Sequence, residues 1–288
     1  MTPKSQPQQS PLPNVAVQLQ RPEDLDLWMT PTVDHAVLAN LGFKIGGGGP
    51  HQSKTMMFSE LAIVLNSGHG ADPSSAILEQ NILGKPSVRA REAALYRLRQ
   101  LYGLGTDAPV GLVLRHLWTL DREARPLLAV LCALARDPLL RAGADAVLYA
   151  NLGERVRWPA LAAAVEAMSP GRFVPITAES LAQHAASSWT QAGFLKGAVR
   201  KERVRAKATP VAAAYAALLA SLSGFGGSRL LESRWMDVLD QPTEERLVLL
   251  RQAEGLGLTR VRSAGDVLEI EVRRPLANAA GVPSLVHR

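Results

Sequence analysis

The chain has 288 residues, enough for one large domain or two ordinary ones, and 47% of them are hydrophobic, which excludes a wholly disordered protein. Aromatic residues make up only 5%, while Ala and Leu are abundant, so packed helices are favoured over a β-sandwich. The formal net charge of +6 favours polyanionic partners, nucleic acid before anionic membrane.

The sequence also bears on the cellular compartment. No stretch approaches the roughly 18 apolar residues of a membrane span, and residues 1–20 lack the apolar core of a signal peptide. Cys132 is the one cysteine, so the chain can form no internal disulfide, and its apolar surroundings predict a buried thiol. These features predict a cytoplasmic protein without a membrane partner.

The first fifty residues differ from the rest in composition. They are rich in Pro, Gln and Gly, and we interpret residues 1–50 as a disordered or loosely attached tail with one short helix at 33–41. From residue 54 onward helical patterns dominate. Helices are predicted at 54–66 and 73–80, followed by a tight turn and a longer helix at 87–102, which is the order of a helix-turn-helix.

The helix at 87–102 is predicted to be amphipathic and capped by Ser87. Its apolar arc consists of Val88, Ala94, Leu95, Leu98, Leu101 and Tyr102. The opposite arc consists of Arg89, Ala93, Tyr96, Arg97 and Gln100. Arg91 projects toward the apolar arc, although its place in the first turn lets it reach solvent. The apolar face can therefore pack on the rest of the domain while the opposite face stays in solvent.

The free face suits a DNA groove, because arginine bonds guanine bidentately and the start of a recognition helix reads bases. The residues expected at base edges are Arg89, Glu92, Ala93 and Tyr96. Those expected at phosphates are Lys85, Arg97 and Arg99. The alternative is an ordinary amphipathic helix with a solvated basic face, since helix-turn-helix geometry also occurs in domains that bind no DNA.

The rest of the chain continues as helices and ends in two strands. Helices are predicted at 110–120, 123–135, 138–152, 159–168, 178–192, 210–223, 230–239 and 243–254. Strands are predicted at 258–262 and 267–272, and a helix followed by a hairpin is the order of a winged helix. The predicted fold is mainly α, with helical bundle units of helix-turn-helix or winged-helix character and a small C-terminal β-hairpin. Its predicted divisions are a helix-turn-helix domain at 51–170, a winged-helix-like domain at 171–275 and a tail at 276–288.

A second basic cluster follows the helix predicted at 178–192. Its cations are Lys196, Arg200, Lys201, Arg203, Arg205 and Lys207. No apolar stripe runs through it, so an exposed loop or hairpin is expected. Such a cluster can neutralise DNA phosphates, and a solvated connector is the alternative.

No motif for catalysis, a metal or a cofactor emerges. Residues 48–55 fall short of a phosphate loop, because Ser53 replaces the second glycine and no clear strand precedes them. The six histidines lack metal-ligand spacing. The tryptophans in or beside apolar helical runs are expected in the core: Trp118, Trp158, Trp189 and Trp235. We therefore expect no enzymatic activity.

Three stretches resemble a known family: residues 58–61, residues 77–85 and residues 97–102. Their order, an apolar helix, a short helix ending near Asn-x-Leu-x-Lys and a basic helix, is similar to BrxA, the small accessory protein of bacterial BREX phage-defence systems. The similarity continues more loosely at 137–141, 188–190 and 193–196 and covers about three quarters of the chain.

The resemblance implies an all-helical, non-enzymatic DNA-binding protein that acts beside the methyltransferase and the ATPase of a BREX system. Under it, the phosphate contacts fall on Arg89, Arg91, Arg97 and Arg99. The sequence leaves two alternatives open: a protein-interaction scaffold within a defence complex, or an RNA-binding, antitermination-like helical module.

Overall fold

The computed structural model describes residues 28–265 and 267–286. Within them the chain forms fifteen α-helices, two short 3-10 helices and two antiparallel β-hairpins. The predicted mainly α class with a small C-terminal hairpin is confirmed. The first 27 residues of the predicted disordered tail lie outside the described residues.

The described part of that tail belongs to the core. Helix α1 (His35–Leu41) lies where a short helix is predicted. Trp28 and Phe43 are buried, with ring centroids 4.7 and 5.8 Å from that of Trp235. The indole Nε1 of Trp235 also donates to the Trp28 carbonyl at 2.7 Å. Loose attachment is therefore wrong for residues 28–50, because aromatic packing closes the core there.

The predicted helix-turn-helix segment forms three helices in the expected order. They are α2 (Phe58–Asn66), α3 (Ser74–Leu78) and α4 (Val88–Tyr102). The Ser87 hydroxyl accepts a hydrogen bond from Ala90 N at 3.2 Å, which satisfies an amide that the first turn leaves unpaired. Gly103 ends α4 in the left-handed conformation, with φ of 64°. Both predicted ends of α4 are confirmed.

The remaining helices surround two buried ones, α6 and α11. Every residue from 127 to 135 in α6 and from 211 to 220 in α11 is buried. The helices after α4 are α5 (Pro109–Leu120), α6 (Arg125–Arg136), α7 (Pro138–Ala142), α8 (Asp145–Leu148), α9 (Trp158–Met168), α10 (Pro175–Gln191), α11 (Pro210–Leu222), α12 (Ser228–Leu231), α13 (Arg234–Asp237), α14 (Thr243–Gly255) and α15 (Arg273–Ala280).

One large hydrophobic core joins residues from both predicted domains. The Tyr215 hydroxyl of α11, for example, donates to the Val110 carbonyl of α5 at 2.9 Å. The predicted boundary between 170 and 171 therefore separates no independent cores. The predicted loose tail at 276–288 is wrong for its described part, because Leu276 and Leu285 are buried in the same core.

Two predicted helices are divided in the structure. The helix predicted at 138–152 breaks at Gly143, where the Leu161 side chain lies so close that a Cβ on the glycine would meet it at 2.9 Å. The helix predicted at 230–239 becomes α12 and α13. The break at Gly143 coincides with this close packing, which helical periodicity does not encode.

The two hairpins are β1 (Leu195–Lys196) with β2 (Glu202–Arg203), and β3 (Arg260–Ala264) with β4 (Val267–Glu271). The second hairpin follows α14, so the predicted order of helix then hairpin is confirmed. A winged-helix fold as such stays a prediction. The second basic cluster begins in the first hairpin and continues past β2 to Lys207.

Candidate nucleic-acid interface

The outer face of α4 is the first candidate surface. Its buried stripe consists of Ala94, Leu95, Leu98, Leu101 and Tyr102, as predicted. Val88 is exposed, so its predicted burial is wrong. On the opposite side Arg89 and Glu92 are exposed, and Tyr96 is 64% exposed. The expected base-edge side chains thus reach solvent, apart from Ala93, which is half-buried.

Two of the expected phosphate contacts turn inward onto α3. The Arg91 Nη1 donates to the Leu78 carbonyl at 2.5 Å, and the Arg99 Nη2 donates to the Ser74 hydroxyl at 2.7 Å. The Nε of each arginine is buried and has no hydrogen-bond partner among the described residues. These two guanidinium groups therefore fasten α3 against α4 and are poorly placed to reach a phosphate.

Of the other three expected phosphate contacts, Arg89 is exposed on this surface, and Lys85 and Arg97 lie at its rim. Lys85 pairs with Glu60 of α2 at 2.8 Å, and both side chains are about one quarter exposed. Burial tends to raise the pKa of Glu60, but the hydrogen bond from Lys85, a backbone hydrogen bond and the charges of Lys85 and Lys54 together outweigh it and hold that pKa below its usual value. Arg97 donates from Nε to the Ser53 hydroxyl at 3.2 Å, near the surface. Both residues are partly exposed.

Arg203 does not lie in an exposed loop. It is 2% exposed, and its Nη2 pairs with Asp240 Oδ1 at 2.7 Å while its Nε donates to the Val147 carbonyl at 2.8 Å. Its guanidinium carbon also lies 5.2 Å from the centre of the Phe194 ring. The expectation of a DNA contact from Arg203 is therefore wrong, because partners in the interior already bind its guanidinium group.

The rest of the second basic cluster is at the surface. Lys196 and Lys207 form exposed ion pairs with Glu202 at 2.7 Å and Glu123 at 2.8 Å, and such pairs contribute little to stability. Lys201 donates to the Gly197 carbonyl at 2.9 Å, and burial lowers the pKa of its ammonium group. The exposed members without a partner among the described residues are Arg200 and Arg205.

The structure also joins three residues that the sequence does not connect. The Nδ1 of His51 lies 2.8 Å from Asp137 Oδ2, and its Nε2 lies 2.8 Å from the Ser188 hydroxyl. All three side chains are fully buried. The Ser188 hydroxyl also accepts from Met56 N at 2.8 Å and donates to the His184 carbonyl at 3.0 Å.

These are the residue types of a hydrolase triad, but the three side chains are buried and bonded to other groups of the protein. The hydroxyl of Ser188 already has all its hydrogen-bond partners, so it is not poised to attack a substrate. The role that fits is structural: it ties the 3-10 helix Pro50–Gln52 to α7 and α10. Separations of 86 and 137 residues along the chain give no sequence signal for it.

Two predictions about single residues have different outcomes. Cys132 is buried, as expected, and burial raises the pKa of its thiol to about 11, so it is not a reactive thiolate at neutral pH. Trp158 is 41% exposed, so its predicted burial is wrong, whereas the other four tryptophans are buried.

Residues 28–265 and 267–286 contain no cluster of three or more His, Cys, Asp or Glu side chains placed to hold a metal ion. No helix in that part of the chain is long and apolar enough to cross a membrane.

Comparisons of the chain with protein-family models, with curated proteins and with solved structures found no match. The resemblance to BrxA therefore stays a prediction from the sequence motifs at 58–61, 77–85 and 97–102.

Proposed function

We propose that the chain is a non-catalytic, duplex-DNA-binding protein that inserts α4 into the major groove. The observation that supports this best is the outward face of α4. Arg89, Glu92 and Tyr96 project from it with no side-chain partner among the described residues, while the opposite stripe is buried.

The chemistry of that face suits base edges. Arginine can donate two hydrogen bonds to guanine, and a glutamate can accept one from the amino group of cytosine. Lys85 and Arg97 at the rim supply the charge that attracts phosphates. Arg91 and Arg99 contribute indirectly, because they hold α3 in place behind α4.

The biological setting that we propose is bacterial phage defence, as an accessory protein of a BREX system. Its basis is the resemblance to BrxA, and the partners would be the methyltransferase and the ATPase of that system. A BREX-type methyltransferase encoded beside this chain would support the assignment, and the absence of BREX genes there would contradict it.

Binding can be tested by fluorescence anisotropy with a labelled duplex at several salt concentrations. We expect Arg89→Ala and Arg97→Ala to weaken binding at least about fivefold. Removing one phosphate-binding cation should reduce the slope of log affinity against log salt by about 0.9. Arg251→Ala is the matched control, because Arg251 is an exposed arginine on α14 and its removal changes the net charge equally.

The assignment of DNA binding to α4 would be contradicted if Arg89→Ala and Arg97→Ala left the affinity unchanged. It would also be contradicted if Arg251→Ala reduced the affinity equally. Competition with a structured RNA adds a second criterion. If the RNA displaces the duplex at lower concentration than unlabelled duplex does, the polyanion recognised is RNA and the proposal fails.

A further inference from the structure

A cavity of about 550 Å³ lies between the start of α9, one side of α10 and the loop that joins β1 to β2. Sites for small ligands have volumes of about 300–1,000 Å³, so this one suits a ligand of nucleotide size. Gln183 and Ser187 of α10 line the cavity, whereas His184 and Ser188 of the same helix contact the residues around His51. The cavity is therefore separate from the buried group at His51.

The charged lining of this cavity is entirely positive. It contains Arg155, Arg157 and Lys201, and none of the described residues that line it is acidic. The side chains of Arg155 and Arg157 are exposed and have no ion-pair or hydrogen-bond partner among the described residues. The carboxylate of Glu202, on the same hairpin, is already engaged by Lys196 at 2.7 Å. An anion entering the cavity would therefore meet uncompensated positive charge.

The cavity also has an exposed aromatic wall. Trp158 lines it, and this is the tryptophan that the core leaves exposed. Val199, on the hairpin loop that also lines the cavity, is 89% exposed. Exposing two large apolar side chains is unfavourable in water, and a flat apolar ligand that covers them would remove that cost.

We propose that this cavity binds a nucleotide, with the base stacked on Trp158 and the phosphate held by Arg155, Arg157 and Lys201. Indole stacks on any base, and guanidinium groups bond phosphate oxygens in a bidentate manner. The Ser187 hydroxyl and the amide oxygen of Gln183, whose amide nitrogen already donates to Glu179 at 3.0 Å, can bond the edge of the base. The nucleotide is either free or one unit of a single strand. The proposal does not depend on duplex binding by α4.

Isothermal titration calorimetry of the full chain tests the proposal with four probes: thymidine monophosphate, deoxyribose 5-phosphate, an acidic peptide and the single-stranded oligonucleotide dT8. We expect thymidine monophosphate to bind about tenfold more tightly than deoxyribose 5-phosphate, because the sugar phosphate lacks the base. Trp158→Leu should remove that advantage, and Arg157→Gln should weaken both phosphates about tenfold. Arg251→Gln, on α14, is the matched control and should change the affinity for neither phosphate.

The oligonucleotide identifies the source of the nucleotide. Similar affinities for dT8 and thymidine monophosphate, both dependent on Trp158, support a free nucleotide. A dT8 affinity that is at least about a hundredfold higher, salt-dependent and reduced by Trp158→Leu supports a single strand. The proposal is overturned if no nucleotide binds, if Trp158→Leu has no effect while the protein stays folded, or if the acidic peptide binds as tightly as thymidine monophosphate.

Discussion

The imidazole of His51 and the carboxylate of Asp137 lie 2.8 Å apart with both side chains fully buried, although 86 residues separate them along the chain. The carboxylate also accepts hydrogen bonds from the backbone amides of His51 and Leu139, each at 3.0 Å. Burial tends to raise the pKa of Asp137, but the charge of His51 and these hydrogen bonds outweigh it and lower that pKa.

This lowered pKa predicts sensitivity to acid. A carboxylate whose pKa is lower in the folded state adds stability that is present above its unfolded pKa of about 3.9. That stability begins to decline as the pH falls below about 4 and is fully lost only once the pH has passed through the folded pKa, which is lower still. We expect Asp137→Asn to lower the free energy of unfolding by about 3–5 kcal/mol at pH 7, because it removes the carboxylate charge that faces the buried imidazole of His51.

Urea denaturation of both proteins from about pH 7 to about pH 2.5 measures this effect. The difference in stability between them should narrow below about pH 4. Glu232→Gln, at an exposed carboxylate, should leave the stability at neutral pH nearly unchanged. A difference that stays constant over the whole range would show that the contribution of Asp137 does not depend on its charge.

Because Gly49 has no side chain, the Asp137 carboxylate can lie against the backbone next to His51. A Cβ at Gly49 would lie 1.9 Å from Asp137 Oδ1, which is closer than any van der Waals contact. We expect Gly49→Ala to destabilise the protein by about 1–3 kcal/mol, the usual cost of overpacking. Gly46→Ala is the control, because no atom lies within 4 Å of the Cβ it adds. Equal melting temperatures for the two variants would contradict the steric role of Gly49.

The hydrogen bond between Arg99 and Ser74 predicts an energetic coupling between α4 and α3. In a double-mutant cycle of Arg99→Ala and Ser74→Ala, we expect a coupling of about 1 kcal/mol in the free energy of unfolding. If Arg99 instead contacts a phosphate, Arg99→Ala should reduce the salt dependence of DNA binding and show no coupling to Ser74. Chemical denaturation and anisotropy titrations of the four proteins distinguish the two roles.

Arg203 and Arg205 form a natural pair for comparison, because one is buried and the other is exposed, two residues further along the chain. We expect Arg203→Gln to destabilise the protein by about 3–5 kcal/mol, since it leaves the Asp240 carboxylate without its cation. Arg205→Gln should change stability by less than about 0.5 kcal/mol. Thermal denaturation followed by circular dichroism measures both, and equal losses of stability would contradict the structural role of Arg203.

The local signals in the sequence predicted the helices well. Ser87 and Gly103 mark the ends of α4 because their side-chain and backbone preferences act on adjacent residues. Hydrophobic periodicity likewise identified the buried stripe of that helix. The same periodicity failed at Val88, which lies in the first turn of α4 and stays 57% exposed, because burial at a helix end depends on whether another segment covers it.

The candidate sites were less predictable, because they depend on contacts between distant segments. The sequence does not distinguish an exposed arginine such as Arg205 from one such as Arg203, which pairs with a carboxylate 37 residues away. Trp158 likewise looks like a core residue until the positions of α10 and the first hairpin are known. The sequence therefore identifies the basic segments, and tertiary structure decides which of their charges remain available.

The continuity of the core has a practical consequence for mapping activities onto this chain. The Tyr215–Val110 hydrogen bond and the burial of both α6 and α11 mean that a fragment ending near residue 170 would expose apolar faces that are covered in the intact protein. Such fragments should aggregate. If they then fail to bind DNA or a nucleotide, the result does not show that the removed residues take part in binding. Single-residue substitutions in the undivided 288-residue chain are the sound way to assign its surfaces.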